Sequence, residues 1–301
     1  MSNPGAAEAG QAVTVAPEAG ASPESGVARG GFWTRWAPVS LEPAPRSDRA
    51  GRRRLVGETA LVLGVSLGAS AIWAILSIIE KSTRPIPLNQ QTTSINNSVT
   101  PDRPWLDLAY QFANILLPLV PVGLALFLLA QVRRPPEGPF RVMGLDGTRP
   151  WRDLGWGAVL AAGIGLPGLA FYLVTRYMGI NTIVAAGNLT DNWWTIPIYV
   201  LAAFENGALE EIVMLGYLFT RWRQAGANPW LVVLVSAVIR GTYHLYQGWG
   251  GFFGNIAMGA LFGWFFLKTR RVWPLVIAHT LIDIVSFVGY SLLVTHVSWL
   301  S

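Results

Sequence analysis

Seven stretches of the chain are dominated by apolar residues: 57–79, 106–131, 154–178, 194–220, 229–247, 250–268 and 274–295. A helix needs about 20 such residues to cross the hydrocarbon core of a bilayer. Within lipid, a helix is also the form in which one segment satisfies its own backbone hydrogen bonds. The pattern predicts an all-α, polytopic transmembrane helical bundle of about seven spans. Pro118, Pro121 and Pro167 fall inside the second and third stretches, where a missing N–H and a ring clash kink or break a helix. An eighth, half-length or re-entrant segment is therefore compatible with the pattern. Charge agrees with this class: 13% of residues are charged, against roughly 25% in soluble domains.

Residues 1–45 are rich in Ala, Gly, Pro, Ser and Glu, with no apolar periodicity. Such a segment cannot bury enough surface to offset the entropy of ordering, and it reads as a disordered cytoplasmic tail. Residues 46–150 read as two spans with a cytoplasmic loop, and 151–295 as the functional core. The clusters Arg46 to Arg54, Arg133 to Arg152, Arg221/Arg223 and Lys268/Arg270/Arg271 fall on one side of a seven-span bundle, whereas 80–105 and 179–193 are Asn- and Thr-rich. By the positive-inside rule the N-terminus is cytoplasmic and the C-terminus outside, in the cell membrane. The basic clusters need only anionic headgroups as partners, so membrane lipids are expected partners and nucleic acid is not. With no cysteine in the chain, disulfides and thiolate chemistry are excluded.

Few ionisable groups lie inside the apolar stretches. Glu205, Glu210 and Glu211 are in the fourth, Arg240 and His244 in the fifth, His279 and Asp283 in the seventh. A charge at the bilayer centre costs roughly 2.5 kcal/mol or more by insertion scales, and residues kept there usually line functional sites. Positions four apart share a helix face, which pairs Asn206 with Glu210, Arg240 with His244 and His279 with Asp283. Glu211 is turned about 100° from Glu210, so one glutamate can face a site while the other braces a neighbouring helix. Glu205 reads as structural, and His296 lies at the last span's exit. Trp193, Trp194, Trp249, Trp273 and Trp299 read as an interfacial belt, and Gly216, Gly259 and Gly263 as close-packing positions.

A glutamate, two histidines and an aspartate can do water chemistry in two ways. A Glu assisted by a His can deprotonate a water that attacks a carbonyl. Alternatively, two His and a carboxylate can hold Zn²⁺; the H-E-x-x-H signature is absent.

The order of these residues resembles the membrane-embedded CAAX prenyl protease and bacteriocin-processing family, also called Abi. Its motifs E-E-x-x-x-R, F-x-x-x-H and H-x-x-x-N/D correspond to "EEIVML" at 210–215, "RGTYH" at 240–244 and "HTLID" at 279–283. The resemblance implies an intramembrane endopeptidase in which Glu210 and His244 activate water and His279 and Asp283 bind the substrate carbonyl or its oxyanion. It implies that Glu211 is structural or tunes its neighbour, that no metal or other cofactor is needed, and that the substrate is a membrane-associated peptide or protein, prenylated or leader-bearing. Two positions depart from the pattern: Leu215 stands for the motif arginine and Arg240 for the motif phenylalanine. Arg240 is therefore expected to reach the Glu210/Glu211 pair and keep one of them ionised. An ionised Asp283 cannot donate to an oxyanion, so it must be protonated or orient His279 through a ring N–H. Two other readings remain. One is a noncatalytic membrane scaffold or immunity protein of the same fold. The other is a proton-coupled transporter, against which the lack of paired broken helices counts.

Overall fold

The computed structural model describes residues 48–131 and 138–297. The tail expected at 1–45, together with Arg46, Arg133, Arg134 and Trp299, lies outside them. Almost everything described is helix. The first expected span is a bent pair, α1 (Arg49–Gly64) and α2 (Leu67–Ser82), whose axes differ by 55°. At the break, Ser66 Oγ donates back to the Val62 carbonyl at 2.7 Å, with Gly64 and Gly68 on either side. Glycine and back-bonding serine together loosen the helical ladder. The second span is α3 (Pro104–Leu116) and α4 (Leu119–Ala130), interrupted at Leu117–Pro118. A four-residue α5 (Pro139–Val142) precedes α6 (Pro150–Tyr177), which continues through Pro167 without a break.

The remaining helices are α7 (Thr195–Glu211), which passes through a π-helical turn (Ile212–Tyr217) into α8 (Leu218–Gln224), then α9 (Pro229–Tyr243), α10 (Trp249–Thr269) and α11 (Trp273–Leu293). Among the described residues four helices are long and apolar enough to cross a membrane, or five if α1 and α2 form one span. The expected seven is thus matched only roughly. The two segments that fall short are α7, with three glutamates in 17 residues, and α9, with 15 residues. At 1.5 Å per residue the latter spans about 22 Å of a ~30 Å hydrocarbon core.

The two Asn- and Thr-rich loops pair with each other. β1 (Thr92–Ser94) runs parallel to β2 (Ile183–Ala185), Thr93 and Thr182 share a hydroxyl hydrogen bond of 2.7 Å, and Asn188 donates to the Ile95 carbonyl at 2.8 Å. This small sheet grips the turn after α9: Thr182 donates through its backbone N and its hydroxyl to the Gln247 carbonyl, both at 2.9 Å. Lys81 Nζ reaches the Tyr246 carbonyl at 2.5 Å.

Within the bundle α11 packs against both α6 and α7, and α10 against α9. Glycines set two of these contacts. A Cβ at Gly207 would lie 2.8 Å from Thr280 Oγ1 on α11, and one at Gly259 would lie 2.9 Å from Ala237 Cα on α9. Trp194 is buried with Ile115 and Ile198 and so departs from the expected interfacial belt. Its neighbour Trp193 is exposed.

Candidate active site

Three helices supply the site. The last turn of α7 carries Glu210 and Glu211, the end of α9 carries Arg240, Tyr243 and His244, and the first half of α11 carries His279 and Asp283. The close approach at Gly207 brings α7 against α11 one turn before the glutamates, and the one at Gly259 brings α10 beside Arg240, whose Cδ would lie 3.1 Å from an added Cβ. Arg240 is 1% exposed and its guanidinium lies 5.7 Å from the Phe262 ring centroid.

Arg240 divides its fork between the two glutamates. Nη1 donates to Glu210 Oε2 at 3.0 Å and Nη2 to Glu211 Oε1 at 2.6 Å. An arginine from α9 therefore stands against both carboxylates, while Leu215, at the motif-arginine position, is fully buried in the apolar core. Glu210 Oε2 also accepts from the Tyr243 hydroxyl at 2.6 Å. Its other oxygen, Oε1, faces His244 Nε2 at 3.8 Å. His244 Nδ1 lies 3.4 Å from Gln247 Nε2, and the ring stacks at 6.1 Å on Tyr246. When the Gln247 amide donates to Nδ1, the ring proton is on Nε2, toward Glu210.

Glu211 is fully buried and bridges two helices, since its Oε1 also faces His279 Nδ1 at 2.8 Å. His279 Nε2 is 3.8 Å from Asp283 Oδ2, beyond hydrogen-bond reach. The carboxylate that orients the His279 ring is thus Glu211 and not Asp283, contrary to one of the two roles expected for Asp283. Asp283 instead accepts from Asn206 Nδ2 at 3.0 Å. Glu205 is buried on the same helix, with Oε1 lacking a partner. His296 is exposed and bonded to Thr295, away from this cluster.

Two participants escape the sequence reading: Tyr243 holds Glu210, and Gln247 lies against His244. Asn206, placed on the Glu210 face by its spacing of four residues, holds Asp283.

Ligand atoms of Glu210, Glu211 and His279 lie within 4.8 Å of one another, close enough to share a cation. Glu210 Oε2 and Glu211 Oε1 already receive the Arg240 guanidinium, so a divalent ion on those oxygens would compete with a fixed positive charge. The arrangement offers water chemistry a carboxylate oxygen facing an imidazole nitrogen, with Asn206 one turn earlier on α7 and His279 on α11.

Comparison with curated proteins and with solved structures gives no match. A family model described as Type II CAAX prenyl endopeptidase Rce1-like matches residues 192–285. The matched segment runs from the residues just before α7 into α11 and contains all three motifs; α1 to α6 lie outside it. The match supports a protease and lends nothing to a metalloendopeptidase. On these grounds the chain is an integral membrane protein whose segment 192–285 is similar to the type II CAAX prenyl endopeptidases, a family of proteases, and carries the positions of the three motifs.

Proposed function

We propose that the protein is an intramembrane endopeptidase that hydrolyses a peptide bond of a membrane-associated peptide or protein, prenylated or leader-bearing, without a metal ion. The observation that carries this reading is the facing pair Glu210 Oε1 and His244 Nε2, 3.8 Å apart. A third polar atom such as a water oxygen bridges groups at that separation. Arg240 and Tyr243 fix the opposite oxygen of the same carboxylate. Glu210, aided by His244, takes a proton from water as the water oxygen bonds to the scissile carbonyl carbon. The oxygen that gains charge is met by N–H donors of Asn206 and of His279. His279 serves through Nε2 when its ring carries both protons, because Nδ1 is engaged with Glu211. Breaking of the C–N bond returns the proton to the leaving amine, so the net reaction consumes one water.

Glu211 and Arg240 act on this reading as positioning groups and Asp283 as the acceptor that aligns Asn206. The protein would lie in the cell membrane with a cytoplasmic N-terminus and an outside C-terminus, with lipids and the substrate as its partners and no role for nucleic acid. The test is cleavage of a panel of lipidated peptides by protein reconstituted in lipid, with Glu210→Ala, His244→Ala and a metal chelator in parallel. Cleavage that both substitutions abolish and the chelator spares is the expected result. Loss of cleavage on chelation would replace this mechanism with a metal-dependent one, and cleavage surviving Glu210→Ala would end it.

A further inference from the structure

At the end of the bundle where α8 and α10 finish, two adjacent arginines have opposite surroundings. Arg271 is saturated: Nε and Nη2 donate to Asp153 at 2.7 and 2.5 Å, and Nη1 to Asp146 at 3.0 Å. Arg270 has no carboxylate among the described residues. Its Nε and Nη2 are buried and, among the described residues, find no acceptor. Its guanidinium lies 5.7 Å from the Phe266 ring centroid.

Arg223 approaches the same point from α8. Phe266 meets Phe219 edge-on at 5.5 Å. Arg270 follows Phe266 by four residues and Arg223 follows Phe219 by four, so each arginine stands one turn beyond its aromatic and on the same face. Arg223 Nη1 is held on the Ala227 carbonyl at 2.7 Å, and Arg223 Nε is a further buried donor without an acceptor. Burial, and next the charge of Arg223, push the Arg270 guanidinium down to about 10.

The backbone points the same way. Arg270 caps α10 in the left-handed region, with φ 57° and ψ 31°. Glycine is the usual residue there, because a Cβ is penalised in that conformation. An arginine at a position that favours glycine, beside a second arginine, leaves three buried donor nitrogens between them without an acceptor among the described residues. Guanidinium forks match the geometry of phosphate oxygens.

We propose that Arg223 and Arg270 form a binding site for a phosphate group, either that of an anionic lipid headgroup or free inorganic phosphate. The site stands apart from the α7/α9/α11 cluster and does not depend on the hydrolase reading.

The experiment is thermal unfolding of the purified protein in phosphatidylcholine nanodiscs. Sodium phosphate is titrated against sodium chloride at matched ionic strength, and in a separate arm phosphatidic acid replaces part of the phosphatidylcholine. A saturable rise in Tm of about 3 °C or more is expected with phosphate, with phosphatidic acid or with both, and not with chloride. Arg270→Gly and Arg223→Met should each remove that rise. Arg270→Gly should also raise the Tm without any anion, because it removes the left-handed arginine and the like-charge contact, so a lost response cannot be mistaken for misfolding. A rise with phosphatidic acid alone assigns the headgroup, and a rise with inorganic phosphate alone assigns a soluble anion. No anion-selective rise in the wild type, or a rise that either variant keeps, overturns the site.

Discussion

Two buried clusters of arginine, carboxylate and tyrosine flank the π-helical turn, and they differ in how completely they are closed. On the α8 side, Glu58 Oε1 accepts from the Tyr217 hydroxyl at 2.8 Å and forms an ion pair with Arg221 Nε at 2.7 Å. The other Arg221 nitrogens donate to Gln224 Oε1 at 3.1 Å and to the Leu128 carbonyl at 2.7 Å. Arg221 Nε, though out of hydrogen-bond alignment, sits against a carboxylate oxygen as the other two nitrogens sit against their acceptors, and four elements, α1, α4, the π-helical turn and α8, are pinned together. On the α7 side the same residue types meet as Glu210, Arg240 and Tyr243, but Glu211 Oε2, Arg240 Nε and His244 Nε2 are buried and, among the described residues, have no hydrogen-bond partner, against one such atom, Arg221 Nε, in the first cluster. Buried polar atoms are normally paired, and those left open call for an explanation in function. The closed cluster holds the helix, and the open one has polar atoms to spare for a reactant.

Four measurements can break or sharpen this contrast, beginning with the largest effect. Glu210→Gln should lower the cleavage rate by about 10²–10⁴-fold while the protein remains folded; a smaller loss would put the open cluster in the structural class. Arg240→Leu leaves two buried carboxylates without their cation, and unfolding should become easier by about 3–5 kcal/mol, with activity lost; wild-type activity in that variant would sink the role given to Arg240. The matched pair Tyr217→Phe and Tyr243→Phe separates the clusters most cleanly. Each should cost about 1 kcal/mol in stability, but only Tyr243→Phe should slow cleavage.

The smallest effect is outside the spans. The Thr148 hydroxyl holds the Asp146 carboxyl below its ordinary value of 3.8; burial, next in size, opposes it, and Arg271 adds to the lowering. A depressed carboxyl contributes stability that is present above the unfolded value and lost as pH falls through the folded one. Unfolding scans below pH 4 should therefore steepen in the wild type and flatten in Asp146→Asn.

The candidate site was legible in the sequence because ionisable residues are costly in apolar helices, so Glu210, Glu211, Arg240, His244, His279 and Asp283 stand out against their background. Their helical spacing then assigns faces. Tyr243 was not legible, since a tyrosine in an apolar run reads as packing until its hydroxyl is seen on a carboxylate. Glu58 was hidden beside the basic cluster of α1, where it looks like a surface charge. Sequence chemistry also could not tell which carboxylate orients His279: Asp283 has the favourable i, i+4 spacing, yet Glu211 from another helix takes the ring nitrogen at 2.8 Å. In the fold, the bend at Val65–Ser66 carries no proline to announce it, whereas the break at Pro118 does. The span count was legible only roughly, because α9 is cut short at Tyr243 and the turn behind it is tied to the paired loops.

The π-helical turn Ile212–Tyr217 carries an extra residue relative to α-helical spacing, which changes the phase of everything beyond it by about 100°. Before it the glutamates face α9 and α11; after it Tyr217 and Arg221 face α1. Both flanks are fastened to other helices, so the extra residue is trapped and cannot migrate along the axis. A one-residue deletion between 212 and 217 would restore uniform winding, and it would force one of the two clusters out of register with its partners. The irregularity is what lets a single helix address two directions of the bundle at once.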